Sequence, residues 1–242
     1  MTRRSDGRPR HEQIAADLRA RIMAGDLPSG AQLPSIPTLV TQYGAATATI
    51  QRALAALKDE GYLHSHVGKG VYVRDREPLV VTATAYVPPS EGRFAYEILE
   101  VTEIEPPAEV SHSLGLASGE PALLRHRLLR YRSEPVELSW SYYPAAIVRH
   151  TELARPQRIR GGAPRVLAEI GHPQQRHVDR VSARMPTTEE LERLDLPANV
   201  PVLRQFRVVH SPDRPVEATV MVKGAHLHEL RYDREADGVD GR

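Results

Sequence analysis

Residues 114–143, LGLASGEPALLRHRLLRYRSEPVELSWSYY, lie over residues 194–223, LDLPANVPVLRQFRVVHSPDRPVEATVMVK, at a constant offset of 80 without a gap. Eight of the 30 positions are identical: Leu114/Leu194, Leu116/Leu196, Pro121/Pro201, Leu123/Leu203, Arg127/Arg207, Pro135/Pro215, Val136/Val216 and Glu137/Glu217. Pro121 and Pro201 each precede the Pro-Val-Glu triplet of their copy by 14 residues. A repeat at fixed spacing obliges both copies to build the same supersecondary unit. Each copy reads as a helix end, a strand, a tight turn and a second strand. Two copies are too few for a solenoid. The pattern predicts one closed α+β domain, an antiparallel sheet with an internal pseudo-two-fold axis.

Strand parity sharpens that expectation. Side chains alternate between the faces of a strand, so Val136, Leu138, Trp140 and Tyr142 share one face while Glu137, Ser139, Ser141 and Tyr143 share the other. In the second copy Val216, Ala218, Val220 and Val222 oppose Glu217, Thr219, Met221 and Lys223. Arg127 and Arg207 hold equivalent places on the preceding strands. The polar faces either look into water, the commoner state of a hairpin, or line a ligand cleft. The recurrence of Glu and Arg at matched positions weighs toward the cleft.

The N-terminal third has another rhythm. From His11 to Ala24 the apolar positions Ile14, Ala15, Leu18, Ile22 and Met23 recur at helical spacing, and Gly25 stops the run. GDLPSGAQLPS is too rich in turn residues to be helical. Ser35 is placed to N-cap a short helix that tolerates Pro37 in its first turn and reaches Tyr43. Gly44 turns the chain, and a third helix runs from about Ala46 to Glu60, burying Ile50, Ala53, Leu54 and Leu57 before Gly61 closes it. YLHSHVGKGVYV then reads as a β-hairpin joined through Gly68, Lys69 and Gly70. Three helices and a hairpin form a winged helix-turn-helix outline. The expected organisation is a basic flexible tail (1–10), this DNA-binding domain (11–75), a Pro-rich linker (76–93) with an edge strand somewhere in 79–87, a sheet domain (94–234) and a flexible tail (235–242).

Charge agrees with that division. The 242 residues carry a formal net charge of only +1, but residues 1–75 hold ten Lys/Arg against seven Asp/Glu, and MTRRSDGRPR alone holds four Arg. A basic module ahead of a mildly acidic remainder suits a nucleic-acid binder. The absence of cysteine excludes disulfides and thiolate sites and makes a reducing cytoplasm the expected compartment. No apolar run reaches the ~18 residues of a membrane span.

HEQIAADLRARIMAGDLPSGAQLPS, TLVTQYG and TIQRALAALKDEGYLHSHVGKGVYV together resemble the DNA-binding domain of GntR-type bacterial regulators over residues 11–73. EPVELSWSYYP, RPVEATVMVKG and TTEELERLDLP resemble the UTRA effector domain of the HutC subfamily. The resemblance implies a chorismate-lyase-like fold that binds a small effector, and a homodimer that leaves or rearranges on double-stranded DNA when the effector binds. It implies a phosphate contact at Ser35, wing glycines Gly68 and Gly70 beside Lys69, and a recognition-helix threonine at Thr49. It places an effector-binding arginine pair at Arg125 and Arg127 and strand carboxylates at Glu137 and Glu217.

The departures from that pattern set the reading chemistry. Pro37 stands where the family usually has arginine, and Ala46-Thr47 where it usually has Ser-Arg. Reading then falls to the outward face, Thr47, Ala48, Gln51, Arg52 and Ala55. Gln51 can pair with adenine and Arg52 with guanine, while the methyls of Thr47 and Ala48 suit thymine. Arg52 on phosphate is the plainer alternative. Arg3, Arg4, Arg8 and Arg10 are expected to compensate on phosphate or in the minor groove. In the sheet domain Arg125, Arg127, Glu137, Ser139, Arg207 and Glu217 are the candidate effector residues. GGAPRVL stands where sugar-phosphate-binding members carry serine or threonine, although a helix starting near Ala163 offers N–H groups to an anion.

His64-x-His66 and His226-x-His228 each lack a third ligand, so no metal is expected. No phosphate loop or Gly-x-Ser-x-Gly elbow is present, and no cofactor is implied. The sequence therefore predicts a non-enzymatic, ligand-responsive repressor that binds an inverted repeat as a homodimer and shifts its DNA-binding heads through the 76–93 linker. An effector-blind architectural DNA binder and a lyase-like enzyme domain fused to a DNA-binding module are the alternatives.

Overall fold

The computed structural model describes residues 6–75, 79–82, 94–226 and 228–232. The chain divides into two compact units, the first made mainly of residues up to Leu79 and the second mainly of residues from Val80 onward.

In the first unit, α1 (Arg10–Met23), α2 (Ile36–Tyr43) and α3 (Thr47–Asp59) are followed by β1 (Leu63–His66) and β2 (Gly70–Val73). Ser35 Oγ accepts from the backbone N–H of Thr38, and Gly44 takes the left-handed conformation that ends α2. Ile50, Ala53, Leu54 and Leu57 of α3 pack with Ile14, Ala15 and Leu18 of α1 and with Leu39. Each of the larger aliphatic side chains contributes about 2 kcal/mol by leaving water. Arg19 of α1 binds Glu60 with hydrogen bonds of 2.8 and 2.7 Å, tying the first helix to the end of the third. The hairpin gains a third edge: Leu33 N–H donates to the Val71 carbonyl, Gly30 N–H to Val73, and Val73 N–H to Ala31.

Part of the expected N-terminal tail is held. Arg10 is the first residue of α1, its Nη2 donating to the Tyr43 carbonyl at 2.9 Å, and Gln13 donates to the carbonyls of Asp6 and Arg8. Arg8 is paired with Asp6. Both arginines are exposed and make hydrogen bonds within the unit. Arg3 and Arg4, the 235–242 tail, and linker residues 76–78 and 83–93 lie outside the described residues. The strand expected within 79–87 is present as β3 (Leu79–Thr82), which pairs with β10 (His228–Arg231), so this stretch of the linker is sheet.

The second unit holds β4 (Phe94–Ile104), α4 (Ala108–Leu114), β5 (Ala122–Tyr131), β6 (Glu134–Pro144), α5 (Ala145–Val148), a 3₁₀ turn (Glu152–Ala154), α6 (Gly162–Glu169), β7 (Arg176–Arg184), α7 (Thr188–Leu194), β8 (Val202–His210) and β9 (Pro215–Gly224). One antiparallel sheet runs in the order β4-β5-β6-β9-β8-β7. The order is a palindrome of the repeat. β5 answers β8, β6 answers β9, and the 80-residue offset extends upstream to α4 and α7, which begin at Ala108 and Thr188. In the central ladder Leu138 faces Val222, Trp140 faces Val220 and Tyr142 faces Ala218. Trp140 therefore pairs with its own repeat mate, and the pseudo-two-fold axis passes between those two residues.

The two faces of the sheet bury different things. On one, α4 supplies Val110 and Leu114 to a cluster with Phe206, Val208 and Ala218 of the second half, while α7 supplies Leu194 against Leu128 and Leu138 of the first. Each helix thus packs across the axis on the other half. On the opposite face the connector between the halves forms a roof: Val148, Leu153, Val166 and Leu167 cover Leu123, Tyr143, Val209 and Val216. The face read from parity as polar is therefore roofed rather than open to water.

One parity assignment is corrected. The β8–β9 register shifts between Val209 and His210, whose partners are Glu217 and Pro215, so Val216 is the extra residue of a bulge. The shift moves Val216 from the face of Ala218 to the roofed face of Tyr143. The β5–β6 ladder shifts at the equivalent point, with Leu129 opposite Glu137 and Arg130 opposite Pro135. Each Pro-Val-Glu triplet is thus a bulge that aims its glutamate.

Candidate functional site

The outer face of α3 is built by what its inner face buries. With Ile50, Ala53, Leu54 and Leu57 inward, Thr47, Ala48, Gln51, Arg52 and Ala55 are exposed, and Thr49 is half-buried at the edge of the stripe. Among the described residues no hydrogen bond or ion pair engages the side chains of Gln51 or Arg52. Ala46 precedes the helix without a side-chain cap, leaving the first N–H groups of α3 uncapped by any side chain. Ser35 Oγ shares a 2.8 Å hydrogen bond with Thr38 Oγ1 at the start of α2.

The wing tip is held from behind. Gln32 Nε2 donates to the Lys69 carbonyl at 2.7 Å, and the Tyr72 hydroxyl donates to the same oxygen at 3.1 Å. Gly68 and Gly70 both have positive φ, at 74° and 114°. A Cβ on Gly70 would stand 2.8 Å from Gln32 Nε2. The tip is therefore fixed with Lys69 exposed. Gln32 carried no motif signal in sequence, because it sits in a connector whose pairing with β2 is non-local. His64 and His66 meet at 3.0 Å between their Nε2 atoms. Among the described residues no group of three or more His, Cys, Asp or Glu is arranged to hold a metal ion.

Under the roof of the second unit lies a cavity of about 180 Å³. Five of the six candidate effector residues line it: Arg127, Glu137, Ser139, Arg207 and Glu217. Arg125 does not. Its Nη1 donates to the carbonyls of Leu153 and Arg155, and its Nη2 to that of Gln157 at 3.0 Å. Arg125 is spent on holding the roof to the sheet, and burial lowers its pKa.

The remaining side chains form three charge arrangements. Lys223 Nζ stands 2.7 Å from Glu137 Oε2, with both residues buried. Asp179 binds Arg207 through two hydrogen bonds of 2.8 Å each, and His177 lies 4.0 Å from the same carboxylate. The third is a relay. Arg127 Nη2 donates to Ser141 Oγ at 2.6 Å, Ser141 shares 2.8 Å with Thr219 Oγ1, and Thr219 donates to Glu217 Oε1 at 2.8 Å. Each hydroxyl has one proton to give, so the chain is polarised from guanidinium to carboxylate. Gln174 Nε2 adds a second donor to Glu217 at 3.2 Å. Arg127 also lies over the Tyr96 ring, 5.3 Å from its centroid.

Tyr143 is fully buried beside this group, and its pKa is pushed up first by burial and then by the Glu217 charge. Ser139 Oγ is buried in the wall with no hydrogen-bond partner among the described residues. The N-terminus of α6 contributes Ala163 and Pro164 to the lining. Sequence reasoning missed Tyr96, Gln174, His177 and Asp179, whose strands and loops lie outside the 30-residue repeat. It placed Thr219 and Met221 on the correct face without singling them out.

These two units define the class of protein: a transcriptional regulator joining a winged helix-turn-helix to an effector-binding sheet domain. The UTRA domain model matches residues 90–226, and the model for bacterial regulatory proteins of the gntR family matches residues 10–73. The chain belongs to the GntR family of regulators that carry a UTRA domain. It is 27% identical over 242 aligned positions to an HTH-type transcriptional regulator of Streptomyces coelicolor, covering 91% of this chain and 88% of that one. It is 35% identical over 98 residues to the mannosyl-D-glycerate transport/metabolism system repressor of Escherichia coli, covering 40% of this chain and 34% of the relative. A solved GntR-family regulator superposes with a TM-score of 0.66 at 26% identity, covering 95% and 99% of the two chains. PhnF of Mycobacterium smegmatis, at 19% identity and a TM-score of 0.56 over 93% of this chain and 100% of that one, shares the fold. Among the described residues no helix is long and apolar enough to cross a membrane.

Proposed function

We propose that the protein is a repressor that binds an inverted-repeat operator as a homodimer and leaves or rearranges on it when a small molecule fills the roofed cavity. The single observation that carries the effector reading is that cavity, about 180 Å³ lined by charged, polar and apolar residues from both halves of the repeat. Ionic groups gathered on one wall offer a polar ligand charge-assisted hydrogen bonds. The repressor sign is supported by the name of the Escherichia coli relative. The DNA contacts in this reading are Ser35, Thr47, Ala48, Thr49, Gln51 and Arg52, with Gly68, Lys69 and Gly70 at the wing. The effector contacts are Arg127, Glu137, Ser139, Arg207 and Glu217.

Coupling runs along the chain. The strand Leu79–Thr82 follows the DNA-binding unit in sequence and pairs with His228–Arg231 at the end of the sheet domain. A ligand that favours one arrangement of the sheet domain biases whatever that strand is attached to.

The experiment is operator binding, using DNA upstream of the protein's own gene, with and without a low-mass metabolite extract, together with light scattering for the oligomeric state. Release of DNA and a rise in melting temperature support the reading. DNA binding that no extract alters, with no melting shift, favours an architectural protein instead. Turnover of the bound compound would be the mark of the lyase-like alternative.

A further inference from the structure

The pseudo-two-fold axis supplies an internal control for the cavity. Glu137 and Glu217 are repeat mates, aimed by equivalent bulges onto the same face. Glu137 is answered by the chain itself, through the ammonium of Lys223 at 2.7 Å. The mate of Lys223 under the 80-residue offset is Tyr143, whose phenol keeps its proton through burial and the neighbouring Glu217 charge. Among the described residues no side chain brings an ammonium to Glu217 where the fold brings one to Glu137.

Glu217 is nonetheless held as a hydrogen-bond acceptor. It accepts from Thr219 and from Gln174, and the relay through Ser141 polarises the Thr219 hydroxyl toward it. Its neighbour Arg207 is bound at 2.8 Å by both oxygens of Asp179. Two carboxylates thus surround one guanidinium at this end of the cavity. At the other end of the cavity, two residues along β6 from Glu137, Ser139 Oγ is buried in the wall without a hydrogen-bond partner among the described residues. What Glu217 lacks, beside the Arg207 guanidinium and the Arg127 relay, is a directly bound ammonium of the kind Glu137 has.

We propose that the effector carries a protonated amine, and that this amine seats on Glu217 as Lys223 seats on Glu137. Ser139 serves a second polar group of the same ligand. The inference rests on the effector reading above and narrows it from polar molecules in general to amine-bearing ones.

The test uses the full chain and a low-mass metabolite extract loaded in dilute acid on a strong cation exchanger, which retains amines and passes neutral molecules and simple acids. Retained and unretained fractions are then assayed for operator release and melting shift with wild type, Glu217→Gln and Glu217→Asp. The expected result is activity in the retained fraction. Its half-effect amount should rise roughly tenfold or more in Glu217→Gln, because one member of a charge pair is removed. Glu217→Asp, which keeps the charge, should recover part of the response. Activity confined to the unretained fraction overturns the inference while leaving the effector reading standing. So does a retained-fraction response that Glu217→Gln leaves unchanged. Silence of both fractions and of the unfractionated extract overturns the effector reading, and the inference with it.

Discussion

Gln32 and Lys69, 37 positions apart in sequence, are joined by a 2.7 Å hydrogen bond from the amide of one to the backbone carbonyl of the other. That bond passes directly over Gly70. The wing tip is therefore a braced turn, and its shape depends on a residue outside the hairpin.

Gly70→Ala should deform the tip. The residue has φ 114°, and the new Cβ would meet Gln32 Nε2 at 2.8 Å. A strained backbone of this kind costs about 1–3 kcal/mol. Operator affinity measured by fluorescence anisotropy should fall, with little change in helical circular dichroism. Gln32→Ala should weaken DNA binding in the same direction and by less.

Arg52→Ala separates base reading from phosphate binding. The side chain is exposed on α3, and no partner engages it among the described residues. If it reads guanine, the substitution should cost about 1–3 kcal/mol and relax preference at one operator position. Binding to a set of single-base operator variants measures this. A uniform loss with a salt slope lower by about one would assign Arg52 to phosphate instead.

Arg125→Met should loosen the roof. Three backbone carbonyls, of Leu153, Arg155 and Gln157, lose their donor at once. A loss of about 3 kcal/mol is expected, or roughly 6–12 °C in melting temperature for a domain of this size. Scanning calorimetry checks it. The effect should appear without effector, which distinguishes Arg125 from the cavity residues.

His126 makes stability depend on pH. Its ring stacks on Trp140 at 4.7 Å between centroids, and burial, with Arg193 nearby, lowers its pKa to about 4. The unfolded chain takes up this proton near its ordinary value of 6.5. Between those values the unfolded state binds more protons, so stability is full above pH 6.5 and declines as pH falls toward 4. The loss is on the order of 1–2 kcal/mol once solvent screening is allowed for. His126→Phe, which copies its repeat mate Phe206, should flatten that part of a melting-temperature profile.

The sequence carried the fold through two signals that do not depend on distant partners. The apolar stripe of α3 is local, so Ile50, Ala53, Leu54 and Leu57 were legible from spacing alone. The repeat made the second unit legible because the identical residues sit where both halves need the same shape, at the Pro-Val-Glu bulges and the start of each inner strand. What escaped was non-local. Lys223 and Glu137 are neighbours across the axis, and no spacing rule relates them. Arg125 and Arg127 look alike in sequence, yet one reaches three roof carbonyls and the other enters the cavity. Val216 crossed faces because a single extra residue inverts parity, and period-two reasoning cannot register a bulge.

The axis between Trp140 and Val220 has a thermodynamic consequence for the bound state. Lining residues come from both sides of it, with Glu137 and Ser139 from one half and Arg207 and Glu217 from the other. Among the described residues the one backbone ladder across that seam is β6 with β9, so a molecule bound in the cavity would act as a staple between the halves. Occupancy and closure of that seam are linked quantities, so the tighter the ligand binds, the more nearly two halves of a duplicated chain behave as one rigid body.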